Sequence, residues 1–371
     1  MKKTCILQNG LAQGGTDTFV VNLCHGIDKQ LYKITVVNPS IKPEYIIREP
    51  EILKTGAEII HTYELNSLIN IIKHLFKLYQ ILKNGRFDIF QTNIDLFNGP
   101  NLFVAWLARV PIRCCHSHNT MQQKSIVHGM TLSIRLYQSI MKWMCWTFSN
   151  RRCGCSEAAM EFLYTGKNWH QDKYPSIIYN GIDIGRFQDN INIDEKRKEL
   201  GLKAKYHIVT VGRIIPQKNP LFIVESYAEL CKMRNDVDFV WVGIGNLEEE
   251  CKKLLESNGV LDKVHFLGVR SDVNEILHCC NLFYLPSSFE GLGIVLIEAQ
   301  AAGLACLSSD VVPPEANCGA VHYLSLNAGK KVWALTMSDI LDGKYPLKTD
   351  ENKIKLFSTK HMAEQMMQVF R

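Results

Sequence analysis

The stretch SSFEGLGIVLIEAQAAG, residues 287–303, decides how the rest of the chain is read. An apolar run, Leu282-Phe283-Tyr284-Leu285, precedes it and reads as a short buried strand. Pro286 and two serines break that run. Gly291 and Gly293 bracket Leu292, and from Ile294 an Ala-, Leu- and Ile-rich segment reads as a helix. The order is strand, glycine loop, helix N-terminus. Free backbone N–H groups and the positive end of the helix dipole favour an anion there, and glycines let a ligand approach the backbone. Two carboxylates lie in the stretch, Glu290 at the loop and Glu298 eight residues on. A helix covering both would set them about 12 Å apart along its axis. That is too far for an acid and a base acting on one bond, and it suits one long ligand touched at two places. Taken alone, the spacing fits a surface helix with two ordinary glutamates equally well.

The chain has 371 residues, enough for two domains of ordinary size, and its 46% apolar and 21% charged content is that of a globular protein. No run of about 18 apolar residues suggests a membrane span. The basic-then-apolar start, residues 1–7, is cut too short by Gln8-Asn9-Gly10 for a signal peptide. Thirteen scattered cysteines, several inside apolar runs, favour a reducing cytosol. Cys153 and Cys155 lack a second ligand pair, so a zinc site is not expected. Charge is uneven: residues 1–180 hold 20 Lys and Arg against 12 Asp and Glu, and residues 181–371 hold 22 against 25. A basic first half points to an anionic partner. A lipid surface qualifies; no nucleic-acid-binding motif supports nucleic acid.

Strand and helix patterns alternate along the chain. Residues 3–8, 34–38, 57–61, 88–91 and 112–115 read as strands in the first half, and 207–211, 238–242, 263–266 and 282–285 in the second. This implies parallel, doubly wound sheets with sites at the strand C-termini. Residues 9–15, with Gly14 and Gly15, form a loop before a helix that Thr16-Asp17 would cap; it is not the dinucleotide fingerprint G-x-G-x-x-G. Residues 67–83 read as an amphipathic helix with Leu68, Ile71, Ile72, Leu75, Leu78, Tyr79 and Leu82 on one face, packed on the sheet or lying on a membrane surface. Residues 133–152 are a second basic and aromatic stretch, with Trp143, Trp146 and Phe148. Cys115-His116-Ser117-His118-Asn119-Thr120 ends a strand at the face where ligands collect. Arg213 and Lys218 stand five apart across a proline loop, a guanidinium and an ammonium able to clamp phosphate oxygens. Asp236-Val237-Asp238 is formally D-x-D, but it lies at a strand entrance, the wrong end for a site.

These words and their order resemble the retaining glycosyltransferases of family 4, which have the two-domain GT-B fold. The likeness rests on S-x-F-E-G-L-G-x-x-x-x-E-A-x-A-x-G at 287–303, H-S-H-N at 116–119, C-S-E at 155–157, N-G-I-D at 180–183 and G-R-x-x-x-x-K-N at 212–219. The wording EAQAAGLACLSSD looks most like the branch that builds capsular and exopolysaccharides. The resemblance implies an α/β architecture of two Rossmann-like domains facing a cleft: residues 1–180 for the acceptor, 181–355 for the nucleotide-sugar, and a helix in 356–371 returning to the first domain.

It also implies roles. Glu290 orients the donor sugar and Glu298 accepts the ribose diol. Arg213 and Lys218 stabilise the leaving diphosphate, and His118 contacts donor phosphate or sugar. Gly14, Gly15, Gly243, Gly245, Gly291, Leu292, Gly293 and Ile294 line the donor, and main-chain groups at Val269 and Arg270 meet the base. Thr16, His116 and Asn119 support the acceptor side, with His116 and His118 interchangeable as the functional histidine. The implied substrates are a UDP-linked sugar and a lipid-linked glycan, with no cofactor and no metal, at the inner face of the cytoplasmic membrane. A catalytically silent GT-B subunit and a UDP-sugar 2-epimerase are the alternatives.

Overall fold

The computed structural model describes residues 1–12, 14–119, 131–188 and 191–371, so Gln13 and Thr120 of the loops named above lie outside the described residues. The chain divides into two compact units, Met1–Ile182 with Leu356–Arg371, and Asp183–Lys355.

The first unit is a six-stranded sheet of β1 (Lys2–Leu7), β2 (Tyr32–Asn38), β3 (Glu58–His61), β4 (Ile89–Thr92), β5 (Ile112–Ser117) and β6 (Arg151–Gly154). The strand order is β3-β2-β1-β4-β5-β6 and every pairing is parallel. Its helices are α1 (Gly15–Gly26), α2 (Glu49–Lys54), α3 (Leu68–Gly85), α4 (Asn98–Leu107), α5 (Leu132–Phe148) and α6 (Glu157–Tyr164). The winding reverses between β1 and β4, where Leu7 lies in register with Thr92. Loops leaving the C-terminal ends of these two strands diverge and open a crevice at the sheet edge, the usual ligand position in such a sheet.

The second unit repeats the plan with β7 (Tyr206–Val211), β8 (Val237–Val242), β9 (Val264–Phe266), β10 (Leu282–Leu285), β11 (Ala305–Ser309) and β12 (Val321–Leu324), in the order β12-β11-β10-β7-β8-β9. Its helices are α7 (Ile193–Glu199), α8 (Pro220–Cys231), α9 (Glu248–Ser257), α10 (Val273–His278), α11 (Ile294–Ala301), α12 (Lys330–Leu341) and α13 (Glu351–Lys355). The reversal falls between β7 and β10. All four residues of β10 are buried, as a central parallel strand covered on both faces requires.

The last helix, α14 (Thr359–Val369), belongs to the first unit. Met362, Ala363, Met366 and Val369 fall on one helical face and join the core around Phe19 and Leu23 of α1. Gly26 permits the approach, because a Cβ there would sit 2.9 Å from Ala363 Cβ. Lys2 Nζ donates to the Phe370 carbonyl at 2.7 Å, tying β1 to the chain's end.

Some local expectations need correction. Helix α11 begins at Ile294, so Glu290 stands outside it and the 12 Å axial estimate does not apply. β6, β11 and β12 were not expected; β6 and β12 are four-residue edge strands, too short to show a period of two. On α3, Leu68 and Ile72 face outward while His74 is buried, because the helix is rotated from its apparent apolar face. Among the described residues, no helix is long and apolar enough to cross a membrane.

Candidate active site

In the first unit, β1 delivers the chain to the glycine loop. Gly14 in extended backbone is the N-cap of α1, and Asp17, not Thr16, does the capping. The Asp17 carboxylate accepts from the N–H groups of Gly14 (3.0 Å) and Ala12 (3.1 Å) and from Gln8 Nε2 (2.7 Å). Desolvation pushes its pKa up, and these donors pull against that rise. A desolvated acid therefore shapes the loop, while Gly14 and Gly15 stay exposed and Thr16 half-buried on the first turn.

His116 is the last but one residue of β5 and His118 follows two residues on, so both rings leave the strand on the same side. The rings lie 4.1 Å apart and both rest against Phe19, at 4.6 and 5.1 Å. Both histidines are buried. Asn93 Nδ2 donates to the Leu7 carbonyl at 3.3 Å, which fixes the amide so that Oδ1 faces His118 Nε2 at 3.2 Å. Nε2 must then carry the hydrogen, leaving Nδ1 as an acceptor with no partner among the described residues. Burial lowers His118 to about 3, and burial with the neighbouring ring lowers His116 well below the usual histidine range. Both are neutral imidazoles at neutral pH. Asn119 donates to Asp95, which also receives the His118 N–H at 3.4 Å. Asp95 sits at φ +43 just past β4, and desolvation raises its pKa. Asn93 and Asp95 were not singled out in the sequence. Their signal was there, in the polar residues that follow an otherwise buried strand.

In the second unit, the loops leaving β7 and β10 meet at the reversal of the winding. Lys218 Nζ lies 2.6 Å from Glu290 Oε1, and Ser287 Oγ donates to the same oxygen at 2.7 Å. The loops are also stitched by Ser288 N–H to the Gln217 carbonyl (2.8 Å) and Gln217 Nε2 to the Phe289 carbonyl (3.2 Å). Glu290 is buried. Arg213, on the same loop as Lys218, is exposed, and its guanidinium has no hydrogen bond or ion pair among the described residues. Gly293, at φ +85, is the N-cap of α11, a conformation that favours glycine. Gly291, Leu292 and Ile294 are buried beside it, and Glu298 is half-buried on the helix.

Gly243 and Gly245 have a reason of their own. A Cβ at 243 would lie 2.0 Å from the Gly212 carbonyl oxygen, and one at 245 would lie 2.2 Å from that of Ile214. Glycine is demanded there by the contact between two protein loops, independently of any ligand. Gly243 N–H also bonds the Gly268 carbonyl at 2.8 Å, holding the loop that presents Val269. Arg270 points its side chain into a fork with Asp272 (2.8 and 2.6 Å), and that guanidinium holds the Asp272 carboxyl well below its usual range. Lys196 joins at 2.6 Å. The Arg270 side chain is thus occupied in fixing its loop. Among the described residues, no group of three or more His, Cys, Asp or Glu is placed to hold a metal ion.

Comparison with known proteins fits this geometry. The profile "Glycosyltransferase Family 4" matches residues 13–186, and "Glycosyl transferases group 1" matches residues 192–318. The chain is similar to the Campylobacter jejuni N-acetylgalactosamine-N,N'-diacetylbacillosaminyl-diphospho-undecaprenol 4-alpha-N-acetylgalactosaminyltransferase, 33% identical over 327 residues, 84% of this chain and 81% of that one. It is also similar to the Escherichia coli UDP-Gal:alpha-D-GlcNAc-diphosphoundecaprenol alpha-1,3-galactosyltransferase, 32% identical over 259 residues, 66% of this chain and 63% of that one. Among solved structures, Anabaena Alr3699/HepE in complex with UDP and glucose superposes with a TM-score of 0.81 at 15% identity, covering 99% of this chain and 98% of that one. Two profiles in this order, a relative one-third identical over most of its length, and a matching pair of parallel sheets establish that the chain belongs to the family 4 glycosyltransferases and has their GT-B fold.

Proposed function

We propose that the chain transfers a sugar from a UDP-sugar to a hydroxyl of a growing, lipid-linked cell-surface polysaccharide, with retention of anomeric configuration and without a metal ion. The observation that carries this reading is the cation–carboxylate arrangement at the β7 and β10 loops: Lys218 bound to buried Glu290, with Arg213, unpaired among the described residues, on the same loop. A diphosphate leaving group needs cations, and a sugar needs a fixed carboxylate to orient its hydroxyls. Both stand here at a helix N-terminus that favours anions.

In the reaction the bond from the anomeric carbon to the diphosphate oxygen breaks. A bond from that carbon to the acceptor oxygen forms on the same face, and the acceptor proton passes to the departing phosphate. Arg213 and the remaining N–H groups of Lys218 meet the negative charge that grows on the diphosphate. Glu290 fixes the sugar, Glu298 takes the ribose diol, and the loop at Val269 and Arg270 meets the base through its main chain. His118, whose Nδ1 has no partner among the described residues, accepts from a sugar hydroxyl. His116 and Asn119 hold that ring and loop, and Gly14, Gly15 and Thr16 give the first unit's glycine loop its place on the donor.

The UDP choice is supported by the nucleotide in the Anabaena structure and in the name of the Escherichia coli relative. A lipid-linked acceptor is supported by the undecaprenol carriers in both relatives' names, and retention by their alpha products. The basic first unit would bring the enzyme to the membrane surface. The test is a panel of UDP- and GDP-sugars screened for protection against heat unfolding, followed by transfer assays with and without a chelator. The anomeric configuration of the product is then read by NMR. An inverted product, or activity restored only by manganese, overturns the mechanism.

A further inference from the structure

The first unit carries an outer face that none of its described residues covers. The connections from β3 through β6 step across the sheet in the opposite sense to those from β1 to β3. With right-handed crossovers, α3, α4 and α5 therefore share one side of the sheet. They are successive neighbours there. Their inner sides supply Leu78, Leu82, Leu102, Ala105 and Cys145 to one core.

Their outer sides are apolar as well. On α3, Ile69, Ile72 and Phe76 are 67%, 60% and 64% exposed at helical spacing. On α5, Leu132, Leu136, Ile140 and Trp143 make a second exposed stripe. Phe103 and Trp106 of α4 lie between, stacked at 6.0 Å. Phe103, Trp106 and Trp143 all meet Phe148, at 5.0, 5.5 and 6.0 Å, so α4 and α5 share one aromatic cluster.

The charges on these three helices have one sign. α3, α4 and α5 contain no Asp or Glu, and the chain has none between Asp95 and Glu157. Lys73, Lys77 and Lys83 on α3 and Arg135 on α5 are exposed. Exposed helix faces in soluble proteins ordinarily mix both signs and keep apolar patches small. Apolar stripes flanked by lysines, with tryptophans among them, match the chemistry of an anionic headgroup layer over acyl chains. The aliphatic stripes have no counterpart in what a nucleic acid presents.

We infer that the outer face of α3, α4 and α5 is a docking surface for an anionic lipid bilayer, entered only to interfacial depth. It deepens the reading above, on which it rests for its purpose: docking confines the enzyme to the layer where a lipid-linked acceptor is held.

The full chain, without sugar donor, is sedimented with phosphatidylcholine vesicles with or without about one-third phosphatidylglycerol. Binding to the anionic vesicles alone, weakened by salt, is the expected result. Lys73→Gln and Lys77→Gln should each lower that affinity about fivefold. Ile72→Ser with Phe76→Ser, and Trp106→Ser with Trp143→Ser, should each lower it at least as far, with heat-unfolding midpoints unchanged. Equal binding to neutral vesicles, no binding to anionic ones, or unchanged binding in all variants overturns the proposal. So does a stable dimer that the Trp106→Ser, Trp143→Ser variant dissociates, since a second copy would then own the face. Vesicle binding without stabilisation by any nucleotide-sugar sinks the transferase reading and leaves the docking surface standing; the converse sinks docking alone.

Discussion

The ammonium of Lys218 and the carboxylate of Glu290 are in contact at 2.6 Å across two loops that are 72 residues apart in sequence. Removing either partner tests function and stability together. Lys218→Ala takes the ammonium away from a buried carboxylate, and should cost about 2 kcal/mol of stability. It should also cost at least about a hundredfold in transfer rate. Lys218→Arg should recover stability better than rate, because a fork does not reproduce a point charge. A Lys218→Ala enzyme transferring within a factor of about ten of the natural one would remove Lys218 from the chemistry.

Arg213 separates the two effects. Its guanidinium is exposed and unpaired among the described residues. Arg213→Ala should leave the unfolding midpoint within about 0.5 kcal/mol of the natural protein and lower kcat by about a hundred- to a thousandfold. Loss of stability with retained transfer would reverse the assignment.

Gly243→Ala should fail for a reason unconnected with substrate. Its Cβ would collide with the Gly212 carbonyl at 2.0 Å in a backbone conformation, φ +135, that favours glycine. We expect a loss of at least about 3 kcal/mol. Gly259→Ala, also at positive φ but with open space around it, is the control and should lose only about 1 kcal/mol. Equal losses at the two sites would refute the loop–loop explanation.

Acid should destabilise the fold through neutral histidines. Burial lowers His74 and His207 to about 4 and His118 to about 3, and His116 well below its usual value. The unfolded chain takes up these protons near pH 6.5 while the folded chain does not. Stability is therefore complete above that pH and falls as pH drops toward the folded values, at about 1.4 kcal/mol per pH unit for each histidine. Asp17 and Asp95, raised in the fold by desolvation, act in the opposite sense, two carboxyls against four histidines. Between pH 6.5 and 5 the histidines should dominate. His118→Asn should flatten the slope of unfolding free energy against pH by about one histidine's share; an unchanged slope would show that His118 is already charged.

Fold class was legible because parallel strands buried on both faces write themselves as apolar runs, and the two best-read elements, β10 and β7, are such runs. Arg213, Lys218 and Glu290 could be placed on loops after strands for the same reason. What the sequence hid depended on contacts between distant segments. Asp17 looked like half of a cap, and only the fold shows it gathering Gln8, Ala12 and Gly14. Gly243 and Gly245 suggested a close backbone approach, and the direction a Cβ would take from each is filled by residues 212–214, a contact between loops that the sequence does not show. The outward turn of Leu68 and Ile72 could not be read from periodicity, which reports a face but not what lies against it.

Met362, Ala363, Met366, Val369 and Phe370 sit in the same core as Ile6, Phe19 and Val36. A growing chain can therefore shape its second unit before its first is finished, since the earliest strand waits for residues near position 370 to leave the ribosome. A nonsense codon in the last fifteen positions would strike the half of the molecule that was translated first.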